Sequence, residues 1–206
     1  MPKYKHPLTF YKEIVNNCKY LQPLNKNIKT TSSRDSYCSL SYLIKHINLS
    51  QSEKIKLGKG LECFLNDAIS TNKSWKILKV QLDFNCQIDE LIINEKEKKI
   101  IYSEYKSNLA LDSQKRNIMY IHCSKIQTLL QEKYPDYTIS TFILNLRFLS
   151  KEDIPKYIIQ RFDKYNNVLT ICGLNDYLQI FNLQIFENYF EYTNLLEYIC
   201  MQKFSK

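Results

Sequence analysis

Phe84-Asn85-Cys86-Gln87-Ile88-Asp89-Glu90-Leu91-Ile92-Ile93 runs into Asn94-Glu95-Lys96-Glu97-Lys98-Lys99 and then into Ile100-Ile101-Tyr102-Ser103-Glu104-Tyr105-Lys106-Ser107-Asn108. Two β-rich runs flank a short charged segment, the pattern of a hairpin. A loop of two or four residues centred on Lys96-Glu97 places Ile93 against Ile100, Ile92 against Ile101 and Leu91 against Tyr102. These are cross-strand pairs that a sheet favours. The same register sets Asp89 opposite Glu104. A slip of one residue would send the two carboxylates to opposite faces.

Carboxylates paired across two strands have Cβ atoms roughly 4.5–5.5 Å apart, and like charges so placed destabilise the sheet unless something offsets them. A divalent cation does so naturally. Mg²⁺ takes hard oxygen ligands and is commonly held by one or two carboxylates, with water and substrate phosphate completing the octahedron. Lys106, two residues beyond Glu104, projects from the same face. Its ammonium is suited to orienting an attacking water or stabilising charge on a phosphate. An Asp followed by Glu-x-Lys on the next strand is therefore a recipe for metal-assisted phosphodiester hydrolysis.

Working outward, Ser52 to Ser70 carries an apolar stripe, Leu57, Leu61, Phe64, Leu65 and Ala68, at helical spacing. Glu62 lies just off its margin, either as a solvated helix residue or as a side chain reaching toward the hairpin. Gly58 and Gly60 are poor helix formers and point to a close approach by a backbone or a ligand. Trp75 to Phe84 alternates as a strand. Beyond the hairpin, Asp112 or Ser113 can cap a helix running to Lys133, with Ile118, Met119, His122, Ile126 and Leu129 facing inward and His122 read as a core histidine. Tyr137 to Leu149 is apolar enough for an interior strand. A helix over 150–162 with Glu152 and Asp153 in its first turn, a strand over Val168–Cys172 and helical structure from Asn175 follow. Upstream, Phe10 to Leu21 and Ser39 to Asn48 read as helices around a polar loop, Asn25 to Ser36, in which Arg34 is a candidate phosphate contact. Glu90, opposite in alternation to Asp89, reads as a solvated strand residue.

The expected fold is α/β, a mixed sheet of about five strands flanked by helices. It forms a single domain over 1–206, with its core over about 52–172 and helical regions over 1–51 and 173–206. Only three glycines occur in 206 residues, and neither G-x-G-x-x-G nor G-x-x-x-x-G-K is present, which excludes the common nucleotide-binding loops and with them a nucleotide cofactor. A net charge of +8 favours a polyanionic partner. The seven cysteines, Cys18, Cys38, Cys63, Cys86, Cys123, Cys172 and Cys200, never fall in C-x-x-C spacing. They read as reduced thiols of a cytoplasmic protein rather than a disulfide or zinc framework. No apolar run approaches the roughly 20 residues of a membrane span, and no secretory signal is visible.

Asp89…Glu104-Tyr105-Lys106, preceded by a helix bearing Glu62, resembles the PD-(D/E)XK nuclease superfamily, whose members include many type II restriction endonucleases. The resemblance spans about Leu57 to Leu149, and Ile88 stands where the family has its proline. It implies a restriction-endonuclease-like core and an Mg²⁺ cofactor, with Mn²⁺ able to substitute. Asp89 and Glu104 would be metal ligands with the Tyr105 carbonyl, Lys106 would orient the nucleophilic water, and Glu62 would bind a second metal or its water shell. Ser107 and Asn108 are candidates either for DNA contact or for a polar turn out of the strand. Lys115 and Arg116 are candidates for phosphate contact or plain solvation, and Arg147 for a DNA contact or a buried structural partner. The expected activity is Mg²⁺-dependent cleavage of double-stranded DNA by a homodimeric restriction enzyme. A Holliday-junction resolvase, a repair nuclease and a non-catalytic DNA-binding protein are the alternatives. The aromatic C-terminal third, with Tyr177, Phe181, Phe186, Tyr189, Phe190, Tyr192 and Tyr198, reads as a dimer interface or as core.

Overall fold

The computed structural model describes residues 39–44, 49–78 and 88–201. The expected helix over 10–21, the loop holding Arg34, residues 45–48 of the second helix and residues 79–87 of the first strand and hairpin lie outside these.

Helix α1 spans Gln51–Ser70. It begins where Ser50 and Glu53 close a capping box: Ser50 Oγ accepts from the Glu53 N–H, and the Ser50 N–H donates to Glu53 Oε2 at 2.7 Å. The expected stripe from Leu57 to Ala68 is buried. A methyl group added at Gly58 would meet nothing within 4 Å, so among the described residues no backbone approaches closely there.

Five strands form one sheet, β1 (Lys76–Ile77), β2 (Glu90–Asn94), β3 (Lys99–Lys106), β4 (Thr138–Asn145) and β5 (Thr170–Cys172), in the spatial order β1-β2-β3-β4-β5. The first two pairings are antiparallel and the last two parallel, so the sheet is mixed. In the hairpin, Glu90 pairs Ser103, Leu91 pairs Tyr102, Ile92 pairs Ile101 and Ile93 pairs Ile100, the register read from the apolar residues. Its loop is the four residues 95–98, braced by the Glu97 N–H donating to Asn94 Oδ1 at 3.0 Å, with Lys98 in the left-handed region at φ 53. Strand β1 is short among the described residues, but the Leu78 N–H continues its ladder to the Leu91 carbonyl at 2.8 Å.

Helices cover both faces. Helix α2 (Ser113–Lys133) and the five-residue α3 (Lys156–Gln160) pack on one, against Leu91, Ile93, Ile100, Tyr102 and Ile143. Helices α1, α4 (Leu174–Gln179) and α5 (Tyr189–Met201) pack on the other, against Ile92, Ile101, Tyr105 and Leu144. The buried stripe of α2 is Met119, Cys123, Ile126 and Leu130, rotated from the expected one; Ile118 is 58% exposed. The helix expected over 150–162 shrinks to α3 because Pro155 lacks an N–H and restricts the residue before it. Glu152 and Asp153 consequently lie in a turn, where Asp153 Oδ2 accepts from the Ser150 N–H at 3.1 Å. Gly173, leading into α4, lies so close to Ser150 that an added Cβ would come within 2.5 Å of its backbone. Tyr177, Phe181, Phe186 and Tyr192 are buried, and Phe190 alone of the described C-terminal rings is strongly exposed, at 74%. Four of the seven rings are thus core, while Tyr189 and Tyr198 are half-buried. Among the described residues no helix is long and apolar enough to cross a membrane.

Candidate functional site

The central strand β3 alternates Tyr102, Glu104 and Lys106 toward α2, and Ser103 and Tyr105 toward α1 and α4. At its carboxyl end the ladder to β2 has finished, and Asp89 occupies the bend just before Glu90. The Tyr105 N–H donates to Asp89 Oδ2 at 2.9 Å, fixing that carboxylate beside the strand end. Lys106 Nζ donates to Glu104 Oε2 at 2.8 Å and lies 3.9 Å from Asp89 Oδ2. One ammonium thus bridges two carboxylates on one face.

The electrostatics reflect this crowding. Burial, and after it the charge of Glu104, holds the Asp89 carboxyl above its ordinary range, while the Tyr105 N–H and Lys106 pull it down. Glu62 reaches the same field from α1: burial and then the Asp89 charge raise its pKa, with Lys59 and Lys106 opposing. Burial alone would lower the Lys106 ammonium, but the charge and hydrogen bond of Glu104, followed by Asp89, outweigh it and leave the pKa raised. Asp89, Glu104, Lys106 and Glu62 are thereby brought into one electrostatic unit, although among the described residues no three His, Cys, Asp or Glu side chains are gathered into a ready metal cage.

Glu104 is held on its other side as well. The Tyr102 hydroxyl donates to Oε1 at 2.5 Å, and His122 Nε2 stands 3.6 Å from the same oxygen. His122 is one-third exposed and belongs to the site, not to the core as its place on the helix suggested. The rotation of the α2 stripe is what brings it here; its position one residue before buried Cys123 was the available signal. The Cys123 thiol backs Tyr102 at 3.9 Å, and burial pushes its pKa up to about 12, so it is not a ready nucleophile.

The remaining candidates have assigned places. Ser107 is exposed and its carbonyl accepts from the Leu40 N–H at 2.8 Å; Asn108 bridges to Ser39 and caps its own turn through the Ala110 N–H at 2.8 Å. Lys115 is exposed and paired with the N-cap Asp112 at 3.3 Å. Arg116 turns inward, donating to the Leu111 carbonyl and lying over the Phe162 ring at 6.0 Å. Arg147 is 5% exposed among the rings of Tyr42, Phe148 and Tyr189. Asn145 is fully buried, accepts from the N–H groups of Arg147 and Phe148, and donates to the Lys106 carbonyl at 3.3 Å.

Glu90 departs most from its sequence reading. Alternation does send it to the far face, but that face is covered by helices, and Glu90 is 3% exposed. Burial pushes its carboxyl up to about 7, against hydrogen bonding from nearby tyrosines. The Tyr177 hydroxyl donates to Oε2, and Oε1 has no partner among the described residues.

No family model, no curated protein and no solved structure matches the chain.

Proposed function

We propose that the chain is an Mg²⁺-dependent endonuclease of the PD-(D/E)XK type that hydrolyses double-stranded DNA, and specifically a type II site-specific restriction endonuclease acting as a homodimer, since one site serves one strand. The observation that carries this reading is the convergence of Asp89, Glu104 and Lys106 at the carboxyl end of the central strand, with Lys106 Nζ 2.8 Å from one carboxylate and 3.9 Å from the other.

The donor set fits a hard divalent cation. Burial and then the neighbouring Glu104 charge raise the pKa of Asp89, so the pair calls for positive charge, and the bridging ammonium marks where that charge is accommodated. Asp89, Glu104 and the Tyr105 carbonyl would hold the ion, with Glu62 behind it. Bound there, Mg²⁺ would supply charge neutralisation at the scissile phosphate and acidify a water. The geometry supports the following roles for the chain's own residues. Tyr102 and Asn145 fix Glu104 and the Lys106 backbone, the Tyr105 N–H fixes Asp89, and Lys106 is left to orient water and stabilise the phosphate. The +8 net charge suits a DNA partner. Cys63, Cys123, Cys172 and Cys200 are free thiols, which suits a reducing cytoplasm.

The test is incubation with plasmid and with synthetic four-way junctions in Mg²⁺, Mn²⁺ and EDTA, beside Asp89→Asn and Lys106→Ala. Discrete, metal-dependent duplex fragments lost in both variants are expected. Cutting of junctions alone would replace restriction by a resolvase. DNA bound but uncut with either metal would leave a non-catalytic DNA-binding protein.

A further inference from the structure

The face of the hairpin turned away from Asp89 and Glu104 carries Ile92, Ile101 and the Tyr105 ring, with Asn94 at its loop end and a buried polar triad at the other. Glu90 and Ser103 are direct partners across β2 and β3, and Tyr177 of α4 meets both. Its hydroxyl donates to Glu90 Oε2, so in its contact with Ser103 Oγ, at 2.7 Å, it is the acceptor. Ser103 and Tyr177 are fully buried, and Glu90 nearly so. The Tyr177 ring has little freedom: Tyr105, Phe142 and Phe181 stand edge-on to it with centroids at 6.3, 6.0 and 5.3 Å.

We propose that Tyr177 is a positioning residue for the Asp89–Glu104–Lys106 site, its hydroxyl locking the register of the hairpin from the opposite face. Leu91, Ile92, Ile93, Ile100 and Ile101 pack tolerably on one another in more than one alignment, and both faces of the sheet are apolar. A slip by one residue inverts every side chain, but a slip by two keeps each on its own face. Burial discriminates weakly against the second error. The triad discriminates strongly, because Tyr177 can satisfy Glu90 and Ser103 together only when they are directly opposite. A two-residue slip leaves a buried carboxyl or hydroxyl facing an aliphatic side chain. The positions the triad fixes adjoin the chemistry: Glu90 follows Asp89, and Ser103 precedes Glu104. The Tyr105 N–H reaches Asp89 only in the aligned register.

Locking of the register stands on geometry alone; its service to a metal site rests on the function proposed above. The experiment separates the two. Tyr177→Phe removes the hydroxyl alone, and the combination Glu90→Leu, Ser103→Ala and Tyr177→Phe replaces the whole triad by apolar groups and leaves no buried polar atom stranded. Three measurements are made on each: the melting temperature, hydrogen exchange at the Tyr105 amide, and Mn²⁺ binding by calorimetry. The triple variant is expected to melt at or above the wild-type temperature while its Tyr105 amide exchanges at least tenfold faster and Mn²⁺ binds at least tenfold more weakly. Tyr177→Phe is expected to show the same exchange and binding changes with a lower melting temperature. Glu90→Gln, which keeps an acceptor for Tyr177, is expected to retain the Tyr105 protection. Wild-type protection of the Tyr105 amide in the triple variant would overturn the lock. Wild-type Mn²⁺ binding despite lost protection would overturn its service to the site. A wild-type protein that binds no Mn²⁺ would refute the function proposed above, and amide exchange would still decide the lock.

Discussion

Asp89→Asn tests whether the site is a place where stability is given up for charge. In the metal-free protein, two carboxylates about 5 Å apart repel by about 3 kcal/mol at an effective dielectric of about 20. At the same dielectric the Lys106 contact at 3.9 Å attracts Asp89 by about 4 kcal/mol and cancels this repulsion, so what is left to destabilise the Asp89 carboxylate is its burial, the largest cause of its raised pKa and one that an uncharged asparagine relieves. Asparagine keeps an oxygen to accept from the Tyr105 N–H and gains an amide that can donate to Glu104. The metal-free variant is therefore expected to be more stable, with a melting temperature higher by about 2–4 °C for a chain of this length. Mg²⁺ reverses the order. At a concentration about a hundred times its Kd, the wild type gains about 2.7 kcal/mol from binding, and a variant lacking the Asp89 carboxylate ligand gains far less. Melting curves in EDTA and across an Mg²⁺ titration should cross. A variant less stable than wild type in EDTA, or one that gains as much from Mg²⁺, would refute the reasoning without any knowledge of the DNA sequence cut.

Three further outcomes follow from particular contacts. Glu90, whose carboxyl titrates at about 7 when folded against an ordinary value of 4.5, binds its proton more tightly in the folded state. Its stabilisation is thus complete below the ordinary value and lost as pH rises through 7, a fall of about 3 kcal/mol between those limits that chemical denaturation in EDTA should reveal and Glu90→Gln should abolish. Asn145→Ala strands the N–H groups of Arg147 and Phe148 in a buried turn and should cost about 2–4 kcal/mol in urea unfolding. Gly173→Ala drives a methyl group to within 2.5 Å of the Ser150 backbone, which cannot yield as a flexible side chain would, and should destabilise by about 2 kcal/mol or more on the same scale.

The hairpin was legible because the charged loop centred on Lys96-Glu97 set the alignment of two apolar runs that could themselves pair in more than one way, and Ile93 against Ile100 followed from it. Helix α1 was legible to within a residue from its stripe, whereas the Ser50 and Glu53 capping box that sets its start went unread. What failed did so for local physical reasons. The 150–162 segment has helical periodicity, but Pro155 removes a hydrogen bond that periodicity cannot see. On α2, Ile118 and His122 looked like core because apolarity was counted without Cys123, the residue that is buried. Gly58 has open space beside it among the described residues, so the close backbone approach read from its glycine is not there.

Glu90 is the instructive miss, because the alternation was right and the inference from it was wrong. Opposite faces of a strand differ as core and solvent only when one face is bare, and here α1, α4 and α5 cover the side away from Asp89. A carboxylate on that side must find a partner, and the partner, Tyr177, lies beyond any spacing a single element could reveal. Two adjacent acidic residues therefore have opposite duties. On the proposed function Asp89, half-buried beside Lys106, shares a cation, whereas Glu90, shut away with Tyr177, holds its neighbour still. In a sheet covered on both faces, the residue next to a candidate ligand is the one to examine for what keeps that ligand in register.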